Sequence, residues 1–166
     1  MISESYISIE EAVIKREELR NKNKKLALTN GCFDLLHAGH VYGLLEAAKL
    51  ADELWVALNT DESIAGLKGK NRPIVKEIER AYMLSALKCV DQVILFNSKN
   101  LKSEILKLRP DFYVKSSDYS MDTINEEEKA ALFKVGSVIK FVKILPEKST
   151  TNIISQIINS GKHKIT

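Results

Sequence analysis

Two imidazoles stand three residues apart in the stretch Thr29-Asn30-Gly31-Cys32-Phe33-Asp34-Leu35-Leu36-His37-Ala38-Gly39-His40. On a helix that spacing sets His37 and His40 side by side on one face. The apolar run Leu26-Ala27-Leu28 precedes them and a helical pattern begins at Val41, so the pair belongs to a strand-to-helix turn. A helix start gathers unpaired backbone N–H groups and the positive end of the macrodipole, which makes it a place for anions, phosphate above all. Gly39 between the rings leaves the backbone open to a ligand, and Gly31 is expected to let the strand turn sharply beneath it. The plainer alternative is a helix that happens to open with two polar rings.

Three other polar groups have the types and positions for the same chemistry. Ser149-Thr150-Thr151 precedes the apolar Ile153-Ile154; its hydroxyls either cap a helix or donate to phosphate oxygens. Lys68, Lys70 and Arg72 fall within Leu67-Lys68-Gly69-Lys70-Asn71-Arg72-Pro73, a loop by its glycine and proline. Such a loop is either a solvated basic face or a set of cations that swings over a triphosphate, where charge-assisted bonds reward it. Asn59-Thr60-Asp61 closes the apolar run Leu54-Trp55-Val56-Ala57-Leu58. In open α/β sheets ligands gather outside the carboxyl ends of the strands, where strand order reverses, so this trio and the histidine turn are expected to face one crevice. Capping of the next helix by Thr60-Asp61 is the alternative.

The elements that must position these residues alternate along the chain. Apolar positions at Ile7, Ile9, Ala12, Val13 and Ile14 among charged residues predict an amphipathic helix over Ile7 to Leu19, capped by Ser8. Helices follow over Val41 to Leu50, Val75 to Cys89 and Leu101 to Leu108; another opens with Glu126, Glu127 and Glu128 and stops at Gly136, and the last packs Ile153, Ile154, Ile157 and Ile158 into the core. Between them lie strands over Leu26–Leu28, Leu54–Leu58, Asp91–Phe96, Asp111–Lys115 and Ser137–Ile144. The run at Leu54–Leu58 is apolar throughout, as suits a parallel strand covered on both faces. The pattern predicts an α/β fold, a Rossmann-like, doubly wound parallel sheet of five strands. Its parts are a helical lead-in over 1–24, a main domain over 25–160 and a tail over 161–166 that holds His163.

The totals narrow the function classes. A chain of 166 residues is the size of one domain, and 45% hydrophobic with 28% charged residues describes an ordinary globular protein. No apolar run is long enough to span a bilayer and Met1-Ile2-Ser3-Glu4-Ser5 lacks the layout of a secretory signal, so the expectation is a cytoplasmic protein without a membrane partner. Net charge is +3 and no basic block is interleaved with aromatics, which argues against a nucleic-acid partner. Cys32 and Cys89 are too few and too scattered for a disulfide framework or a zinc site, and buried free thiols are expected. An NAD-dependent oxidoreductase is disfavoured, because the first turn lacks GxGxxG.

Asn30 through His40 resembles the HxGH signature of the cytidylyltransferase-like nucleotidyltransferases, and TNGCFDLLHAGH, LKGxxRP and STTxII together resemble the adenylyltransferase domain of ADP-heptose synthases. The resemblance runs from Ile9 to Ile158. It implies a nucleotidylyl transferase of the HUP type, in which a sugar 1-phosphate, a heptose 1-phosphate foremost, attacks the α-phosphorus of ATP and releases pyrophosphate. His37 and His40 would donate to phosphate oxygens, with Lys68 and Lys70 as catalytic cations and Arg72 on the triphosphate or acceptor. Ser149, Thr150 and Thr151 would hold the β/γ end, and backbone N–H groups near Gly31, Cys32 and Phe33 would approach the phosphates. Asn30, Asn59, Asp61 and Asp118 complete the expected nucleotide site. Mg²⁺ is implied, held by nucleotide and water, with no protein residue as its ligand.

Two departures touch the acceptor. Lys115-Ser116-Ser117-Asp118-Tyr119 has serines where the family has KGGDY, and Asn97-Ser98-Lys99-Asn100 replaces an acidic Asp-Thr-Pro element. Arg80, beside Glu79, matches a family arginine or forms a surface ion pair. A CTP-dependent polyol-phosphate cytidylyltransferase and a nucleotide-binding regulator without catalysis remain alternatives. A homodimer or higher homo-oligomer and a separate sugar kinase in the pathway are further implications of the resemblance.

Overall fold

The computed structural model describes residues 5–69, 71–143, 145 and 150–162, without the side chains of 151 and 162. The helices are α1 (Ile9–Asn21), α2 (Ala38–Ala48), α3 (Asp61–Lys68), α4 (Glu77–Ser85), α5 (Lys102–Leu108), α6 (Glu126–Val135) and α7 (Thr150–Lys162). The strands are β1 (Leu26–Gly31), β2 (Glu53–Asn59), β3 (Gln92–Phe96), β4 (Phe112–Ser116) and β5 (Val138–Val142). They form one sheet in the order β3-β2-β1-β4-β5 with every pairing parallel. The expected doubly wound fold is therefore present. Among the described residues no helix is long and apolar enough to cross a membrane.

Side-chain alternation divides the core between the two faces of the sheet. Leu26, Leu28, Trp55, Ala57, Ile94, Phe96 and Tyr113 meet Ala12 and Leu19 of α1, Ile105 and Leu108 of α5, and Ala131 and Leu132 of α6. The intervening residues Ala27, Leu54, Val56, Leu58, Val93 and Val114 meet Leu44 and Ala47 of α2 and Ala81 and Leu84 of α4. Burial on both faces is why these strands read as continuous apolar runs. Ser8 caps α1 in a capping box with Glu11, Asn125 caps α6, and Gly136 ends it with a left-handed φ of 73°.

Chain order fixes where the sheet splits. From β1 the chain winds outward through β2 to β3, with α2 and α4 on one face; it then returns through α5 to lay β4 on the other side of β1, with α5 and α6 on the opposite face. The connections leaving β1 and β4 diverge, so a gap opens beyond their carboxyl ends.

The opposite ends of the strands are pinned by three aspartates. Asp52 accepts from the Lys25 N–H, Asp91 from the Leu54 N–H and Asp111 from the Leu26 N–H, at 2.7, 2.8 and 2.9 Å. Asp111 also pairs with Arg16 at 2.8 Å and Lys25 at 2.9 Å, and the buried Arg16 reaches the carbonyls of Leu108, Arg109 and Lys24.

Two expectations about burial need correction. Ile157 and Ile158 are 62% and 54% exposed rather than in the core, and neither belongs to the two buried clusters that cover the sheet, while Ile153 and Ile154 are half-buried. Cys32 and Cys89 are free but only half-buried.

Burial raises the Asp111 carboxyl, but the Leu26 N–H, Lys25 and Arg16 together outweigh it, so the net shift is downward from 3.8. A lowered carboxylate stabilises the fold above its unfolded pKa and loses that contribution as pH falls through the folded one. Asp111→Asn should cost about 2–3 kcal/mol at neutral pH. In urea melts at a series of pH values, its deficit should close below pH 3.8; a constant deficit would deny the carboxylate a charge-based role.

Candidate active site

A crevice of about 440 Å³ opens beyond the ends of β1 and β4, a size ordinary for small-molecule sites. Thr29, Asn30 and Gly31 of β1 form one wall with Val114, Lys115 and Ser116 of β4, and His37, His40 and Gly43 of α2 form another. Lys68, Asp118, Tyr119 and Thr150 also reach it.

The imidazoles are placed by the start of α2. His37 is its N-cap, with extended backbone, and its Nδ1 accepts from the His40 N–H at 3.4 Å. The rings stack with centroids 3.8 Å apart and planes 20° apart, and Phe33 tilts against His40 at 5.2 Å. The left-handed φ lies at Phe33, 44°, and not at Gly31, so the expected role of Gly31 in a sharp turn needs correction. Gly31 instead makes room: a Cβ there would meet the Phe33 ring at 2.9 Å.

Stacking and burial set the charge of the pair. The His40 pKa falls to about 4, through burial first, then repulsion from His37 and from Lys68. His37 is lowered by burial. Both rings are therefore neutral at pH 7 and able to donate one N–H each. An anion in the crevice reverses the balance and favours the protonated form.

The basic loop is held to the histidine turn. Asp34, 2% exposed, accepts from the Ile74 and Val75 N–H groups at 2.7 and 3.1 Å and pairs with Arg72 at 2.8 Å. This contact keeps Arg72 off the lining of the crevice, whereas Lys68 reaches it.

The polar trio after β2 does not face the crevice, which corrects the expectation of one shared cleft. Strand order reverses between β1 and β4, so the end of β2 lies on the far side of β1. The Asn59 amide donates to Ser63 at 3.0 Å, Thr60 caps α3 through the Ser63 N–H, and Asp61 accepts from the Glu77 N–H at 2.9 Å. Arg80, fully buried rather than at the surface, ties this region to the histidine turn. It donates to the carbonyls of Val75, Cys32 and Asn59 and to Asp61 Oδ1 at 2.6–2.9 Å.

The Cytidylyltransferase-like description matches residues 28–160. The chain belongs to the cytidylyltransferase-like family. It is 41% identical over 140 residues to the bifunctional protein HldE of Syntrophotalea carbinolica, covering 84% of this chain and 28% of that one. Against the bifunctional protein HldE of Citrifermentans bemidjiense the identity is 43% over 147 residues, 89% of this chain and 29% of that one. The chain thus spans less than a third of the length of these curated relatives. A solved structure, the lipopolysaccharide core biosynthesis protein of Thermoplasma volcanium GSS1, matches at a TM-score of 0.60 and 32% identity, over 75% of this chain and 99% of that one.

Of the residues the sequence singles out in this cytidylyltransferase-like domain, Asn30, Gly31, Phe33, His37, His40, Lys68, Asp118 and Thr150 line the crevice. Cys32, Asn59, Asp61 and Arg72 stand behind it in the contacts just described. Lys70, Ser149 and His163, and the side chain of Thr151, lie outside the described residues. Ser116 and Ser117 hold the turn without a left-handed backbone, so the missing glycines cost it no strain: among the described residues the non-glycine positive φ angles belong to Asn23, Phe33 and Arg109. Ser116 bonds Asp118, and the Ser117 N–H donates to Val142 at 2.8 Å.

Binding of a nucleoside triphosphate should raise the His40 pKa from about 4, and so should take up protons near pH 6. Calorimetry in two buffers of different ionisation enthalpy measures that uptake; wild type should exceed His40→Ala, and equal values would show that the ring meets the nucleotide, if at all, only as a neutral donor.

Proposed function

We propose that this domain transfers the adenylyl group of ATP to a sugar 1-phosphate, a heptose 1-phosphate foremost, with release of pyrophosphate. The observation that carries the reading is the stacked His37–His40 pair at the start of α2, on the wall of a crevice at the reversal of strand order. The resemblance of TNGCFDLLHAGH to ADP-heptose synthases, and identities of 41% and 43% to bifunctional HldE proteins, support adenylyl transfer to a heptose phosphate over cytidylyl transfer to a polyol phosphate.

In the reaction a phosphate oxygen of the acceptor attacks the α-phosphorus; a new P–O bond forms as the bond to the bridging oxygen breaks, and that oxygen leaves on pyrophosphate. The acceptor is already an anion near neutral pH, so the site needs no strong base. It must align the reactants and spread the charge of the non-bridging and leaving oxygens. His37 and His40 supply N–H donors to these oxygens, Lys68 supplies a cation, and the Thr150 hydroxyl at the start of α7 receives the β/γ end.

The donor set also bears on Mg²⁺. Among the described residues no three or more acid, histidine or cysteine side chains gather into a cation cage, and Asp118 is the one carboxylate on the crevice wall. Mg²⁺ fits as an ion carried by the triphosphate and water, where it neutralises phosphate charge. The sugar 1-phosphate is assigned to a kinase acting before this step.

Pyrophosphate release with ATP or CTP, each offered heptose 1-phosphate or glycerol 3-phosphate, tests the reading. ATP with heptose 1-phosphate should be the productive pair, and His37→Ala should lower its turnover about a thousandfold while the protein stays folded, its urea midpoint falling only by the loss of one helix cap. Wild-type turnover in His37→Ala would remove the central assignment, and turnover only with CTP and glycerol 3-phosphate would replace adenylyl by cytidylyl transfer.

A further inference from the structure

The β4 wall of the crevice carries a cation, Lys115, to which the sequence alone assigned no role. Lys115, its side chain 11% exposed, places Nζ 2.7 Å from Asn30 Oδ1 and 3.7 Å from Glu128 Oε2. The ring centroids of Tyr119 and Tyr113 lie 5.0 and 5.2 Å away. Burying an ammonium is costly unless it is paired. Glu128 balances the charge, but 3.7 Å is too long for a direct hydrogen bond. That carboxylate is already engaged by the Leu101 N–H and the Tyr113 hydroxyl, each at 2.9 Å. The one short bond made by Lys115 is to Asn30.

That bond decides which way Asn30 faces. An ammonium has donors and no acceptor, so the amide must turn its oxygen toward Lys115. The Tyr113 hydroxyl lies 3.0 Å from the same oxygen but has a single proton, which Glu128 Oε2 also claims at 2.9 Å, so Lys115 is the partner that fixes the amide. The amide nitrogen then points away from both. Among the described residues it has no hydrogen-bond partner, and it is not a buried orphan, so it opens onto the crevice that Asn30 lines. With His37, His40, Lys68 and Thr150, the crevice presents a ring of donors suited to an oxygen-rich anion.

The geometry points to Lys115 as a positioning residue that, by holding Asn30 Oδ1, presents the Asn30 amide N–H groups to a phosphoryl oxygen of the bound nucleotide. This assignment rests on the nucleotidyl-transfer reading. It gives Lys115 a task in a chain whose neighbouring Ser116-Ser117 departs from the family pattern, and it makes the effect of Lys115 depend on Asn30.

Kinetics of pyrophosphate release from ATP and heptose 1-phosphate test it in Lys115→Met, Lys115→Arg, Asn30→Ala, Asn30→Asp and the double variant Lys115→Met/Asn30→Ala. Lys115→Met and Asn30→Ala should each lower kcat/KM for ATP roughly ten- to a hundredfold, and the double variant should be no worse than Asn30→Ala by more than about threefold. Lys115→Arg, which also offers only donors, should recover part of the loss. Asn30→Asp keeps a partner for the buried cation, so it stays folded even if Lys115→Met does not, and it should lose as much as Asn30→Ala because its N–H donors are gone. Wild-type kcat/KM in Asn30→Asp overturns the assignment, as does a Lys115→Met effect of the same size with and without Asn30. Wild-type protein that releases no pyrophosphate from ATP or CTP with either acceptor overturns the transfer reading, and this assignment with it.

Discussion

Everything at the reactive end of the molecule follows from one topological constraint: β4 pairs with β1 on the side that β2 leaves free. Two parallel strands whose following helices cover opposite faces cannot have their connections packed together, and the space between them is not filled by chain. Asn30 and Lys115 come to share that space because Thr29 pairs with Val114, which sets the next residues of the two strands side by side. The histidine turn is the connection leaving β1, so its rings border the same gap. No residue in the crevice has to create the opening. Each only supplies donors to its walls.

Around the gap, buried polar contacts hold the loops in place. Arg80 joins the carbonyls of Cys32 and Asn59 to Asp61, fixing the histidine turn against the start of α3. Asp34 joins the same turn to Arg72, Ile74 and Val75, so the far half of the basic loop is anchored while Lys68 sits at the crevice. Both charges are deeply buried and both are compensated by several partners, the condition under which buried charge is tolerated. The crevice is thus lined by residues whose backbones are supported by a layer of charged side chains pointing away from the ligand.

The strands, the order of elements and the histidine turn were legible because each rests on a local signal: two-faced apolar runs, helix caps at Ser8 and Asn125, and two rings at helical spacing. The side of the sheet on which Asn59 and Asp61 would fall was not legible, since strand order is a nonlocal property that no periodicity in Leu54–Leu58 encodes. The contact of Lys115 with Asn30 was not legible for the same reason. At the end of Phe112-Tyr113-Val114 the lysine reads as a charged residue closing a strand, and only the β1–β4 register reveals Asn30 as its neighbour. Arg80 beside Glu79 has the look of a surface pair, and its burial depends on the carbonyls that the histidine turn brings to it. The exposure of Ile157 and Ile158 shows the converse limit, because an apolar helical face does not say what it lies against.

The aspartates that clamp Lys25, Leu26 and Leu54 occupy the rim of the sheet farthest from the histidines. Anchorage and reactivity are therefore housed at separate poles, and the loops after β3 and β4 are free to diverge in evolution without loosening the scaffold. Ser116-Ser117 and Asn97-Ser98 fall where those loops begin, and of these residues only Ser116 borders the crevice, so change after β4 reaches its wall while change after β3 does not.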